Sequence, residues 1–394
     1  MATLTETEIG DLVDRVQSWS PATDSNDSEF TYIDLSSVDK DSKCIVNPVR
    51  TRCAEAPSRA RQLVAFRDVL VSTVRPNLNG VAVVPPELDG ATASTGFCVL
   101  RPREDKVCWR YLYHWVRSPI FIRDMTRKAT GASYPAVSDR IIQDSKIPLP
   151  KLEEQKRIAA ILDKADAIRR QRQEALDEAD ILLESSFIHL FGDPVNNPHG
   201  WDLVPLTKLT TRITVGIVVK PASYYVDDGV PALRSLNVRP NRIAKENLVY
   251  CSTKDNEHAL KKTRIWKGDV LLVRSGQPGT AAVVPDELDG VNAIDILIVS
   301  PISDSLNSHY LSAFFNSEAG KRMALGEQRG QIQKHLNVTS LKDVSLPVPP
   351  MPEQERFDAI VRKIGDTQAQ LESARLEADA LFNSLVQRAF KGEL

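Results

Sequence analysis

A chain of 394 residues is too long for one ordinary core and predicts two or three domains. With 42% hydrophobic and 26% charged residues it has the balance of a globular protein; its five scattered cysteines form no C-x-x-C pair, which excludes a disulfide framework or zinc knuckle. Met1 to Gly10 carries acids rather than an apolar leader, and no run approaches the about eighteen apolar residues of a membrane span, so a cytoplasmic protein with no membrane partner is expected.

The net charge of −2 conceals a segregation along the chain. Residues 1–42 hold two basic and ten acidic side chains, residues 43–140 hold sixteen against eight, and residues 202–346 hold eighteen against fifteen. Phosphate binding responds to local potential, so a basic module within a neutral chain is compatible with DNA.

In chain order, the first predicted elements are two β-branched runs, Asp68 to Ser72 and Val81 to Pro85. The turn-rich segment Arg75 to Gly80 joins them as a hairpin. A helix is predicted from Trp109 to Met125. After Pro148 and Pro150 a long helix is predicted from Leu152 to Leu190, with Glu153 and Glu154 in its first turn, where the helix dipole favours acids. Its predicted apolar seam is Ile158, Ile161, Ala165, Ile168, Arg172, Ala175, Ala179, Leu182 and Ser186.

The same order then returns. Val83 to Gly90 reappears as Val283 to Gly290, and Asp68-Val69-Leu70-Val71 as Asp269-Val270-Leu271-Leu272. Ile147-Pro148-Leu149-Pro150 with Glu154-Gln155 reappears as Leu346-Pro347-Val348-Pro349 with Glu353-Gln354. A hairpin over Asp269 to Val273 and Ala281 to Pro285, a helix over Ser308 to Leu325 and a second seam follow from this repeat. That seam is Phe357, Ile360, Ile364, Thr367, Leu371, Ala374, Ala378, Leu381 and Leu385.

The expected fold class is therefore α/β: two mixed α/β domains joined by an antiparallel two-helix coiled coil, with an internal pseudo-two-fold repeat. Connectivity sets the antiparallel direction, because the second helix starts where the second module ends. A helix from Leu152 to Leu190 would span about 58 Å at 1.5 Å per residue, more than one turn of B-DNA at about 34 Å.

Catalytic signatures have little support. There is no Walker G-x-x-x-x-G-K-S/T, no H-E-x-x-H and no N-P-P-Y or D-P-P-Y element, and the six histidines are isolated from one another. Glu154-Gln155-Lys156 has nuclease-like letters but falls in the first turns of a helix, where a structural role fits better.

The segment Ile147 to Leu162, Phe191-Gly192-Asp193-Pro194 and the distal copy Leu346 to Gln354 resemble the repeated conserved regions of type I restriction-modification specificity subunits. The resemblance implies target-recognition domains over residues 1–147 and 192–345, a central conserved helix over 148–191 and a distal one over 346–394. It implies a non-catalytic subunit that reads a two-part site in double-stranded DNA. Two methyltransferase subunits and restriction/translocase subunits would dock on it. S-adenosylmethionine, ATP and Mg would belong to those partners, with no cofactor in this chain. A scaffold or adaptor with two protein-binding heads on a coiled-coil rod is the alternative.

Candidate DNA contacts are the polar loops that correspond between modules. In the first these are Arg75, Asn77, Asn79, Lys128, Thr130, Ser133 and Tyr134; in the second, Arg274, Ser275, Gln277, Arg329, Gln331, Gln333 and Lys334. Arg, Asn and Gln pair bidentately with base edges, whereas Lys and Ser more often hold phosphates. Asn77, Asn79, Gly276 and Gly279 serve equally well as plain turn formers.

Overall fold

The computed structural model describes residues 5–23, 28–326 and 336–394. The chain divides into two compact units, Met1–Gln173 with Ala374–Leu394, and Glu174–Ser373. Both are mixed α/β, and each contains a segment of both long helices.

In the first unit, Val69–Ser72 pairs antiparallel with Val81–Val83 as the predicted hairpin, in the register Val69↔Val83 and Val71↔Val81. Phe97–Pro102 and Val13–Asp14 extend it to four strands. A second four-stranded sheet is built around the parallel pair of Glu29–Ile33 and Thr92–Ser94. The acidic N-terminal lead is integral to this unit, because Thr5–Glu8 pairs with Lys146–Leu149, the strand that precedes the long helix.

The second unit repeats the plan. Val270–Val273 pairs with Ala281–Val283, Ile296–Pro301 and Thr210–Val215 complete the sheet, and Leu203–Pro205 pairs with Ser345–Pro347. Here too the second sheet holds one parallel pair, Val230–Leu233 with Asn292–Ala293.

The helices predicted over Trp109 to Met125 and Ser308 to Leu325 are each broken in two. Trp109–Val116 ends before Ser118, whose hydroxyl caps Phe121 N–H at 3.2 Å, and Pro119–Lys128 restarts the helix with proline at its first position. Ser317 does the same between Ser308–Asn316 and Glu318–Leu325, accepting Gly320 N–H at 3.0 Å.

The long helices run over Leu152–Phe191 and Met351–Lys391. Gly192, with φ +72°, ends the first in the left-handed conformation that favours glycine. The buried stripe matches the predicted seam at Ile158, Ala165 and Phe357 and lies one residue later at several other positions. Leu162 is buried rather than Ile161, Leu176 rather than Ala175, and Phe187 rather than Ser186; Leu183 is 2% exposed while Leu182 is 55% exposed. The second helix behaves alike: Val361, Gln368, Phe382 and Val386 replace Ile360, Thr367, Leu381 and Leu385. Arg172, placed in the seam by the sequence reading, is exposed. Adjacent apolar pairs such as Ile161-Leu162, Leu182-Leu183 and Leu381-Phe382 allow two seams with the same spacing. The one adopted buries Leu176, Phe187 and Phe382 in place of the smaller Ala175, Ser186 and Leu381, a gain of about 25 cal/mol per Å² of apolar surface.

Those side chains complete the cores of the two units. In the first, Phe390 packs against Tyr111 and Trp115 with ring centroids 5.2 and 4.9 Å apart. In the second, Tyr310 meets Phe187 and Phe191 at 5.7 and 4.9 Å, and Phe357 meets the same two rings at 5.7 and 5.4 Å. Within this unit the two helix segments run antiparallel, with Gln368 donating to Asp180 at 2.7 Å at one end and Phe357 against Phe191 at the other.

Candidate nucleic-acid interface

The repeated Pro-x-Pro and Glu-Gln letters form a socket beneath each head. Tyr111 donates its hydroxyl to the carbonyl of Pro148 at 2.7 Å, and Tyr310 donates to that of Pro347 at 2.6 Å. Gln155 is buried and bonded to the backbone of Cys108, Lys106 and Pro150; Gln354 is buried and bonded to that of Asn307 and Pro349. Gln155 joins head to helix, while Glu154 and Lys156 form exposed ion pairs with Arg157 and Glu153 on their own helix, so the Glu154-Gln155-Lys156 letters are accounted for structurally.

The hairpins are fixed in the same manner. Asp68 accepts Ala65 N–H at 2.8 Å and forms a two-bond pair with Arg101 at 2.9 and 2.7 Å. Asp269 accepts Trp266 N–H at 2.9 Å and pairs with Arg212 at 2.6 Å. These bonds fix the open end of each hairpin, opposite its loop.

In the first unit the structure brings four of the seven predicted contacts together. Arg75 N–H donates to the Pro135 carbonyl at 2.7 Å, its guanidinium reaches the Ser133 carbonyl at 3.4 Å, and it stacks over the Tyr134 ring at 4.7 Å. Thr130 closes the second loop by exchanging backbone hydrogen bonds with Ala136 at 3.0 and 2.9 Å. Arg75 and Tyr134 are exposed, the latter by 69%. Asn77 is exposed on the Pro76–Leu78 turn. Arg75 and Asn79, with φ of 50° and 51°, flank that turn in the left-handed region, a strain tolerated where the surroundings over-determine the backbone. Lys128 stands apart, paired with Asp124 at 2.6 Å on its own helix.

Lys43, which the sequence reading did not single out, supports this loop by donating to the Asn79 carbonyl at 2.5 Å. Burial, with the nearby Arg117 charge, pushes its ammonium down to about 8. Below it, Arg117 is buried and pairs with Asp166 at 3.1 and 3.2 Å; Arg169 and Arg170 bind the same carboxylate. Burial opposes the charge on Asp166, but the three arginines outweigh it and hold the carboxyl far below the usual range.

In the second unit Arg274 is ion-paired with Asp295, and its carbonyl accepts Leu336 N–H at 3.2 Å. Ser275 is half-buried and Gln277 exposed on a turn that contains Gly276 and Gly279, with φ of 86° and 89°. Arg329, Gln331, Gln333 and Lys334 lie outside the described residues. Among the described residues there is no His, Cys, Asp or Glu cluster suited to a metal, and no helix is long and apolar enough to cross a membrane.

The family model described as the type I restriction modification DNA specificity domain matches residues 77–178 and 236–378, more than half of the chain. The chain belongs to the type I restriction-modification specificity subunits. The EcoBI specificity subunit of Escherichia coli is 23% identical over 328 residues, covering 75% of this chain and 68% of the relative. The MjaIX specificity subunit of Methanocaldococcus jannaschii is 22% identical over 345 residues, covering 81% and 77%. A chain solved in work on complex assembly and conformational transition of the type I R-M system is 26% identical with a TM-score of 0.54, covering 100% of this chain and 99% of that one. The type I restriction-modification S subunit from M. genitalium, at 12% identity, TM-score 0.54 and coverage of 99% and 97%, shares the fold. The role of a specificity subunit is DNA sequence specificity, and the adaptor alternative is not favoured.

Proposed function

We propose that this specificity subunit reads a two-part site in duplex DNA, one part with residues 1–147 and the other with residues 192–345. The segments 148–191 and 346–394 act as an antiparallel coiled coil that sets the spacing between the parts. They also serve as the dock for two methyltransferase subunits and for restriction/translocase subunits. The subunit is itself non-catalytic: S-adenosylmethionine, ATP and Mg are used by those partners.

One observation carries this reading: the chain contains two copies of the same hairpin-and-socket unit, each with an arginine in its hairpin loop, Arg75 or Arg274. Contacts to phosphates would position each head, and contacts to base edges would give it a sequence.

Methylome sequencing of a host that expresses the chain with its methyltransferase partner tests the proposal. Adenine methylation confined to a two-part motif is expected. Methylation without sequence dependence, or cleavage of DNA by the purified chain with Mg²⁺ alone, would overturn it.

A further inference from the structure

Val219 is the most exposed large apolar side chain among the described residues, at 73%, and its neighbour Val218 is 48% exposed. Two such valines side by side on a soluble unit need a reason, and a loosely held loop does not supply it. Gly216 N–H donates to the Ile296 carbonyl at 2.8 Å and Ile217 N–H to that of Ala293 at 2.8 Å; in return Asp295 N–H donates to the Ile217 carbonyl at 3.0 Å. A side chain at Gly216 would collide with the Ala293 carbonyl, so only glycine permits this close approach. Ile217 is buried against Ala232, Cys251, Leu260 and Ile294. Beyond the valines, the backbone of Lys220 is left-handed at φ 43° and its carbonyl accepts Ser223 N–H at 2.9 Å. The loop is pinned at both ends, and the valines are held outward between the pins.

Its position identifies what they meet. Asp295, bonded through its amide to this loop, is the residue whose carboxylate holds Arg274. The exposed Lys220 follows the valines directly. An exposed lysine and a pinned apolar pair, beside the Asp295–Arg274 ion pair of the hairpin loop, match the groove of a duplex, where apolar side chains touch thymine methyl groups and lysines hold phosphates.

We propose that Val218 and Val219 are specificity-determining contacts of the second head and that Lys220 is its neighbouring phosphate contact. This rests on the reading of that head as a DNA-recognition domain.

The test compares the wild-type complex, the V218A/V219A double variant and K220A, each assembled with the methyltransferase partner. Thermal melting and co-purification are measured alongside the methylome and salt-dependent DNA binding. V218A/V219A should assemble and melt like wild type yet lose base preference by at least about fivefold at one or two positions of one half-site, leaving the other half-site unchanged. K220A should weaken binding across all sequences and lower the salt slope by about 1.

If the wild type methylates a two-part motif and V218A/V219A methylates the same motif at the same rate, the inference fails while the reading of the heads stands. Loss of co-purification also overturns it, by assigning the valines to a protein partner. A wild-type complex with no two-part motif removes the reading and the inference together.

Discussion

The side-chain oxygen of Gln155 accepts the main-chain N–H of Cys108 at 2.8 Å, while its amide group donates to the carbonyls of Pro150 and Lys106 at 2.9 and 3.2 Å. One buried side chain thus satisfies three backbone groups at the junction of strand, helix and head. Gln155→Ala should lower stability by about 1–3 kcal/mol, because buried donors and acceptors lose their partners. Glu154→Ala removes only an exposed pair with Arg157 and should cost about 0–1 kcal/mol. Chemical denaturation of the three proteins checks this; equal losses would show that the socket is not held by Gln155.

Asp166→Asn strands Arg117, whose guanidinium is buried against that carboxylate. Breaking a buried pair in this way costs about 3–5 kcal/mol. Because folding lowers the carboxyl's proton affinity, its contribution is complete above the unfolded value of about 3.9 and is lost as pH falls through the folded one. The stability gap between wild type and variant should be wide at neutral pH and narrow only in strong acid. Melting temperatures across that range measure it, and a gap independent of pH would contradict the ionic account.

Leu182 and Leu183 are chemically identical neighbours with opposite exposure. Leu183→Ala should cost about 2–5 kcal/mol as a core truncation, whereas Leu182→Ala should stay within about 0.5 kcal/mol. The reverse order in a melting experiment would restore the seam that the sequence predicts.

Arg75 stacks on an exposed Tyr134 rather than on an acidic partner, which leaves guanidinium donors facing outward. Arg75→Ala should cost about 1–3 kcal/mol at a single base position of one half-site. Competition binding with single-base variants checks this. Uniform weakening over all sequences would make Arg75 a phosphate contact.

Much of this was legible in the residues. The duplication gave both hairpins, and the repeated Pro-x-Pro and Gln letters marked both sockets, because identical local chemistry needs identical spacing. The helix breaks at Ser118-Pro119 and Ser317 carried their signal as capping residues within apolar runs. The seam did not, since Leu182 and Leu183 satisfy the same periodicity and only packing against Phe187 and the head distinguishes them. Arg75 with Tyr134 emerged because polar loop residues flank a turn, whereas Lys43 and Asp295 are recruited from distant segments by tertiary folding. The exposure of Val218 and Val219 was not legible, because an apolar pair in sequence reads as core.

The claim that each head reads its own part of the site is tested most directly by exchange. Residues 1–147 are replaced with the corresponding head of a related specificity subunit, and the methylome of a host expressing the chimera with its methyltransferase is sequenced. The account predicts that one half of the two-part motif changes while the other half and the spacing persist. A motif altered in both halves, or in neither, would contradict it.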